Sequence, residues 1–231
     1  MRALKKCLTL LARCGWGPRK MGAFCGDPRP ASGVTRARRN ASMRGFIALT
    51  LPPHTRDALG VCQAQLRQRI GDGVRWTPVD QLHITLRFLG SFDTARVNAL
   101  LALVQRVADN ARPIEAAWSP AVGAFPGPVA PRVLWVGLQQ GADAVSAVAR
   151  DIEAGVVALG FAAEEHAFHP HVTLGRVRSP VEAIQVGQRL RGGQMQPGET
   201  DFRLETIAFI ESVLTPEGAV HTLIGETPLA G

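Results

Sequence analysis

Two stretches decide the reading of this chain: Leu82-His83-Ile84-Thr85-Leu86-Arg87-Phe88-Leu89 and His169-Pro170-His171-Val172-Thr173-Leu174-Gly175-Arg176-Val177. Both hold the pattern His-x-Thr-Leu inside a strand-like run, in a chain with only 6 histidines. Two chance occurrences in such a chain have odds well under about one in a thousand. On a strand, residues i and i+2 share a face. His83 therefore stands beside Thr85 and His171 beside Thr173, while Ile84, Leu86, Val172 and Leu174 turn to a core. If related lobes bring the two strands together about a pseudo-twofold axis, two imidazoles face each other across a cleft with two hydroxyls between them. In-line phosphoryl transfer needs that layout: a base on the attacking side, an acid on the leaving side and donors for the non-bridging oxygens. Histidine suits both proton roles because it titrates near neutrality.

Working outward, Phe46-Ile-Ala-Leu-Thr-Leu51 reads as a buried strand ended by Pro52-Pro53. Leu59, Cys62, Leu66 and Ile70 mark a helix over 55–70 with Arg67 and Arg69 to solvent. Val74–Trp76 is a short extended piece that leads into the first motif. After Gly90, Asp93 caps a helix that carries Val97, Leu100, Leu101, Val104 and Val107 and runs to Asn110. Residues 113–131, rich in Pro, Gly and Ala, read as an edge strand with a loop, and 133–136 as a strand. Val145, Val148, Ile152, Val156 and Leu159 mark a helix stopped by Gly160. After the second motif come a short helix at 181–190, a Gly-rich loop at 192–198 and strands at 202–211 and 219–224. Strand, helix and His-x-Thr-Leu strand occur around 46–89 and again around 133–177. This order predicts an α+β, bilobal fold: two pseudo-symmetric antiparallel-sheet lobes with flanking helices, one His-x-Thr strand from each lining a central cleft.

The formal charge of +7 is unevenly placed. Residues 1–42 carry 10 Lys or Arg against Asp27, and the remainder carries 16 basic against 18 acidic residues. The high pI thus belongs to the leader, and any case for nucleic acid binding by the body must come from a site. The leader reads as an unstructured basic extension, and its composition, ending at Met43 directly before a strand-like run, points to translation starting at Met43. An organellar presequence and a basic RNA-tethering arm are the alternatives. Its apolar run 7–12 is too short for a signal core or a membrane span. Cys62 alone lies in the body, which excludes a disulfide framework there and points to the cytoplasm. A monomer is expected.

The matching stretches Arg44-Gly-Phe-Ile-Ala-Leu49, Trp76–Gly90, Pro131-Arg-Val-Leu-Trp135 and Phe168–Arg176 resemble the two-histidine phosphoesterase superfamily. The likeness is greatest to the bacterial RNA 2′,3′-cyclic phosphodiesterases of LigT type, first described as 2′-5′ RNA ligases, and it spans about residues 43–225. The resemblance implies hydrolysis of an RNA-terminal 2′,3′-cyclic phosphate, or of a cyclic nucleotide, to a 2′-phosphomonoester with neither metal nor cofactor. It implies His171 as proton acceptor, His83 as proton donor, Thr85 and Thr173 on the phosphate, Arg176 on the phosphate or ribose and Phe88 stacked on the terminal base. Strict alternation turns Phe88 and Arg176, each five residues past its histidine, to the opposite face. Gly175 offers a bulge that would correct this in the second motif. Nothing comparable precedes Phe88, so core packing and base stacking both stand for it. Ser212 and Gly218-Ala-Val-His-Thr222 lie where the family commonly has Ser and Gly-x-x-Tyr-Thr, so His221 replaces a tyrosine in a chain with none. His54 and His166 read as surface or loop residues, His169 either as a third pocket imidazole on the face of His171 or as a strand-end surface residue, and Arg132 either as a phosphate contact or as an exposed strand-start residue.

Two other readings compete: a non-catalytic module that binds nucleotides or RNA ends, and a phosphodiesterase for a small cyclic nucleotide. A zinc hydrolase is disfavoured because no carboxylate lies near either motif and His-x-Thr-Leu is not a ligand spacing. A P-loop enzyme or a lysyl-adenylate ligase needs a lysine, and the body has none: Lys5, Lys6 and Lys20 are the chain's 3. RNA joining by this chain would be reversal of cyclic-phosphodiester opening, independent of ATP.

Overall fold

Strand β1, Ser42–Thr50, carries Phe46-Ile47-Ala48-Leu49 fully into the interior. In the computed structural model, residues 41–190, 201–216 and 218–231 are described; the expectations for 1–40 and for the loop at 192–198 lie outside the described residues. Pro53 opens helix α1 (Pro53–Ile70), where its missing N–H costs no hydrogen bond, and Gly71 ends the helix with a φ of 77°. Strand β2 (Val74–Trp76) and a 3₁₀ turn at Val79–Gln81 lead into β3 (His83–Asp93). The Asp93 carboxylate accepts from the Ala95 N–H and caps a 3₁₀ turn that feeds helix α2 (Val97–Asp109). Then follow β4 (Ile114–Phe125), β5 (Val133–Gln140), α3 (Ala142–Ala158), β6 (His171–Val177), α4 (Pro180–Leu190), β7 (Asp201–Leu204), β8 (Thr206–Thr215) and β9 (Gly218–Pro228). Among the described residues no helix is long and apolar enough to cross a membrane.

All strand pairs are antiparallel, and the two expected lobes form one continuous sheet in the order β7-β4-β5-β6-β3-β1-β8-β9, with β2 against the far end of β6. A flat sheet of this order would hold β7 and β8 about 29 Å apart, six steps at about 4.8 Å. Only Glu205 separates them in the chain. The sheet must therefore curl until its ends approach, which makes one face concave. The expected single strand over 202–211 breaks at Glu205 for this reason: Leu204 pairs with Ile114 at one end of the sheet, and Thr206 pairs with Pro228 at the other. Residues 113–131 also differ from expectation, since β4 takes β7 on one side and β5 on the other and is not an edge strand along its whole length.

The helices cover the outer face, and two of them exchange lobes. Helix α1 leaves β1 yet packs beside α4 behind β6, while α3 leaves β5 yet packs on β3 and α2. Gly155 of α3 permits the close contact with α2, because a Cβ there would meet Leu103 Cδ1 at 2.1 Å. Cys62 lies fully buried in this outer core, and burial pushes its thiol up to about 11.

Candidate active site

The motif strands meet at one residue pair, Ile84 of β3 opposite Val172 of β6. An antiparallel pair centred there sets His83 across from Thr173 and His171 across from Thr85, all four on the concave face. The pseudo-twofold axis expected from the repeated motif thus passes through two apolar side chains, both with no exposure.

Each imidazole is fixed in the same way. Nδ1 of His83 lies 2.7 Å from the Gln81 carbonyl, and Nδ1 of His171 lies 2.7 Å from the His169 carbonyl. A carbonyl only accepts, so both rings carry their proton on Nδ1 and leave Nε2 with a lone pair in the uncharged form. Nε2 of His83 stands 3.0 Å from Thr85 Oγ1, which donates to it. An aromatic ring from the neighbouring strand backs each histidine. Phe46 stacks on His83 at 4.6 Å between centroids, while Trp135 and Phe125 stand edge-on to His171 at 5.8 and 5.4 Å. Trp135 lies across Gly123 so closely that a Cβ there would meet the indole at 2.2 Å. The sequence reading missed these three aromatics; the signal available for Phe46 and Trp135 was their place on the strands beside each motif, whereas Phe125 lies one strand further out, on β4.

Both motif strands bulge at the same position. On β3 the pairs with β1 step from Ala48–Thr85 to Ile47–Arg87, leaving Leu86 without a direct partner. On β6 the pairs with β5 step from Trp135–Thr173 to Leu134–Gly175, leaving Leu174 over. Each extra residue inverts the alternation, so the residue five past the histidine returns to the histidine's face. Arg176 is exposed there, as the expected bulge requires. Phe88 is there too, 58% exposed and 5.9 Å from Phe46. Core packing, one of the two readings kept for Phe88, is corrected: a bulge that no glycine announces turns the ring to the cleft.

Two side chains outside the motifs hold these bulges. Buried Gln63 of α1 donates from Nε2 to the carbonyls of Leu174 and Thr77, each at 2.8 Å. Arg87 points away from the cleft and donates to the carbonyls of Phe88 and Ala162; it pairs with Glu153 of α3 and with Glu164. Arg87 therefore ties the first motif strand to the segment that leads into the second.

His221 also enters the site. It pairs with Ser212 across β8 and β9, and its ring lies edge-on to Phe46 at 5.0 Å and to His83 at 5.6 Å. His54, His166 and His169 are exposed, as is Arg132, whose guanidinium has no acidic partner among the described residues. Burial is the main cause that holds His83 down at about 4; His221 and His171 add to the effect, and the bond to Gln81 opposes it. His171 is also lowered, first by burial and then by His169 and Arg176, against the bond to the His169 carbonyl. His221 is lowered by burial, opposed by the charge of Asp80. Among the described residues no group of three or more His, Cys, Asp or Glu is placed to hold a metal.

The chain matches the family model of the 2′-5′ RNA ligase superfamily over residues 47–215. It is 30% identical over 176 residues to an RNA 2′,3′-cyclic phosphodiesterase of Aeropyrum pernix, covering 72% of this chain and 94% of the relative. It is 32% identical over 197 residues to the protein of that name from Thermus thermophilus, covering 82% and 91%. A crystal structure of a Thermus thermophilus protein superposes with a TM-score of 0.67 at 29% identity, covering 81% of this chain and 98% of that one. The fold of E. coli LigT in apo form matches with a TM-score of 0.66 at 21% identity, covering 82% and 99%. Fold, paired motifs and matched length agree, and the chain belongs to the 2′-5′ RNA ligase superfamily.

Proposed function

We propose that this protein opens RNA-terminal 2′,3′-cyclic phosphodiesters to 2′-phosphomonoesters by acid–base catalysis between His83 and His171, without a metal ion. His171 takes a proton from water as the water oxygen bonds to phosphorus. The P–O3′ bond breaks, and His83 delivers a proton to O3′. Thr85, Thr173 and Arg176 bind the non-bridging oxygens, and Phe88 stacks under the terminal base. The observation that carries this reading is the matched pair of imidazoles about Ile84–Val172, each with Nδ1 tied to a carbonyl and Nε2 left for proton transfer. Relatives about 30% identical over most of the chain, named RNA 2′,3′-cyclic phosphodiesterases, support the substrate.

Both histidines rest uncharged at neutral pH, which suits the base directly. The acid has to gain its proton first, and the negative charge of a bound cyclic phosphate beside His83 raises its affinity for one. The test is hydrolysis of an RNA oligonucleotide ending in 2′,3′-cyclic phosphate, in EDTA, by the full chain and by His83→Ala and His171→Ala. The expected result is a 2′-phosphate product and a loss of several orders of magnitude in both variants. Binding of the oligonucleotide without turnover by the wild type would leave a nucleotide-binding module instead.

A further inference from the structure

Beyond the bulge, β6 changes its neighbour from β3 to β2, and Arg176 comes to stand directly opposite Arg75. The flanking pairs show which way both point. Val74, opposite Val177, is buried, and Trp76, opposite Gly175, packs on the outer core with Arg67 of α1 over its ring. Arg75 and Arg176 alternate with those residues, so both lie on the concave face, and both are exposed. Like charges opposed across an antiparallel pair destabilise it unless something neutralises them. Neither guanidinium has a carboxylate within ion-pair distance among the described residues. The chain from 43 onward carries slightly more acid than base, so this is a local concentration of positive charge. Arg176 is also close enough to His171 to lower its pKa. The patch therefore begins at the reacting centre and leads away from it.

We propose that Arg75, with Arg176 beside it, binds the phosphodiester on the 5′ side of the terminal nucleotide, so that the enzyme selects polynucleotide ends over free nucleoside 2′,3′-cyclic phosphates. The inference rests on the proposed cyclic-phosphate hydrolysis and adds a second anion site to it. A mononucleotide presents one phosphate and leaves the Arg75 end of the patch open. An oligonucleotide presents a second phosphate and neutralises both guanidinium groups at once.

The experiment compares kcat/KM for a short RNA ending in 2′,3′-cyclic phosphate with that for a nucleoside 2′,3′-cyclic phosphate, in wild type, Arg75→Ala and Arg75→Lys. Arg150→Ala, on the exposed side of α3, controls for the loss of one charge. The wild type should favour the oligonucleotide. Arg75→Ala should lower that preference by about ten-fold or more, the size of one charge-assisted contact. Arg75→Lys should restore part of it, and Arg150→Ala should leave it unchanged. The slope of log affinity against log salt for a 2′-phosphate-ended oligonucleotide should shrink by about 0.7 in Arg75→Ala. Equal wild-type rates on the two substrates, or an Arg75→Ala loss of the same size on both, would overturn the proposal while leaving cyclic-phosphate hydrolysis intact. A wild type that opens neither substrate would instead remove the reading on which the proposal rests.

Discussion

Ile84 and Val172 face each other across the junction of β3 and β6, both wholly buried, and theirs is the residue pair at which the two motif strands meet. Truncation there leaves a cavity beneath the two histidines. Ile84→Ala should cost about 2–5 kcal/mol of stability. It should also lower kcat more than it raises KM, because it loosens the spacing of acid and base without touching substrate. Denaturant melts with steady-state kinetics check both effects, and a variant of reduced stability but normal kcat would show that the pair is not the spacer.

The burial of His83 couples protonation to folding. Its ordinary value of 6.5 falls to about 4 in the folded protein. Between those values the unfolded chain binds a proton that the native protein does not. Stability is therefore whole above about pH 6.5 and falls as pH drops toward 4, by on the order of 3 kcal/mol. Urea midpoints at pH 7 and pH 4.5 should differ by less in His83→Gln than in wild type. An unchanged difference would mean that His83 is not held uncharged.

A coupled expectation concerns rate. If bound phosphate charges His83, the acid's apparent pKa should be higher in the pH profile of kcat than in that of kcat/KM. His221→Phe removes one of the neighbours that hold His83 down and should move the acid's value in kcat/KM upward. Superimposable profiles in variant and wild type would separate His221 from the proton chemistry.

Gln63 of α1 sits behind the second motif strand, bonded to the Leu174 carbonyl. Gln63→Ala takes the side-chain donor from the part-buried Thr77 carbonyl and one of two donors from the Leu174 carbonyl, which keeps the Thr77 N–H, and should cost about 1–3 kcal/mol. With Arg176 in its proposed place on the phosphate, relaxing the Leu174 bulge should move it away and raise KM. A variant with lowered stability and unchanged KM would mean that the bulge holds without Gln63.

Phe88→Ala should raise KM for RNA ends by about five- to a hundred-fold, the range of one base stacked on one aromatic ring. Phe88→Trp should keep most of the affinity. Isothermal titration with a 2′-phosphate-ended oligonucleotide measures it directly.

The site's centre was legible because strand alternation is a local rule. His83 with Thr85 and His171 with Thr173 need only a period of two, and the repeated tetrapeptide supplied the rest. Phe88 was not legible, since its bulge arises from how β1 steps along β3 between Ile47 and Ala48, a property of two strands distant in sequence. The break at Glu205 escaped for a similar reason: Phe202 to Glu211 alternates well enough for one strand, and only the sheet's ends reveal that it serves two. Gln63 gave no signal because a polar residue near the buried stripe of a helix reads as its edge until a partner carbonyl is seen.

The single-residue passage from β7 to β8 has a consequence for synthesis. A chain emerging from the ribosome holds both histidine strands by residue 177, yet β7 is still to be added to one end of the sheet and β8 and β9 to the other. Neither half can mature ahead of its sibling, and until the last strands arrive the nascent polypeptide shows unpaired β edges at both sides, the state in which it is most open to aggregation and to chaperones.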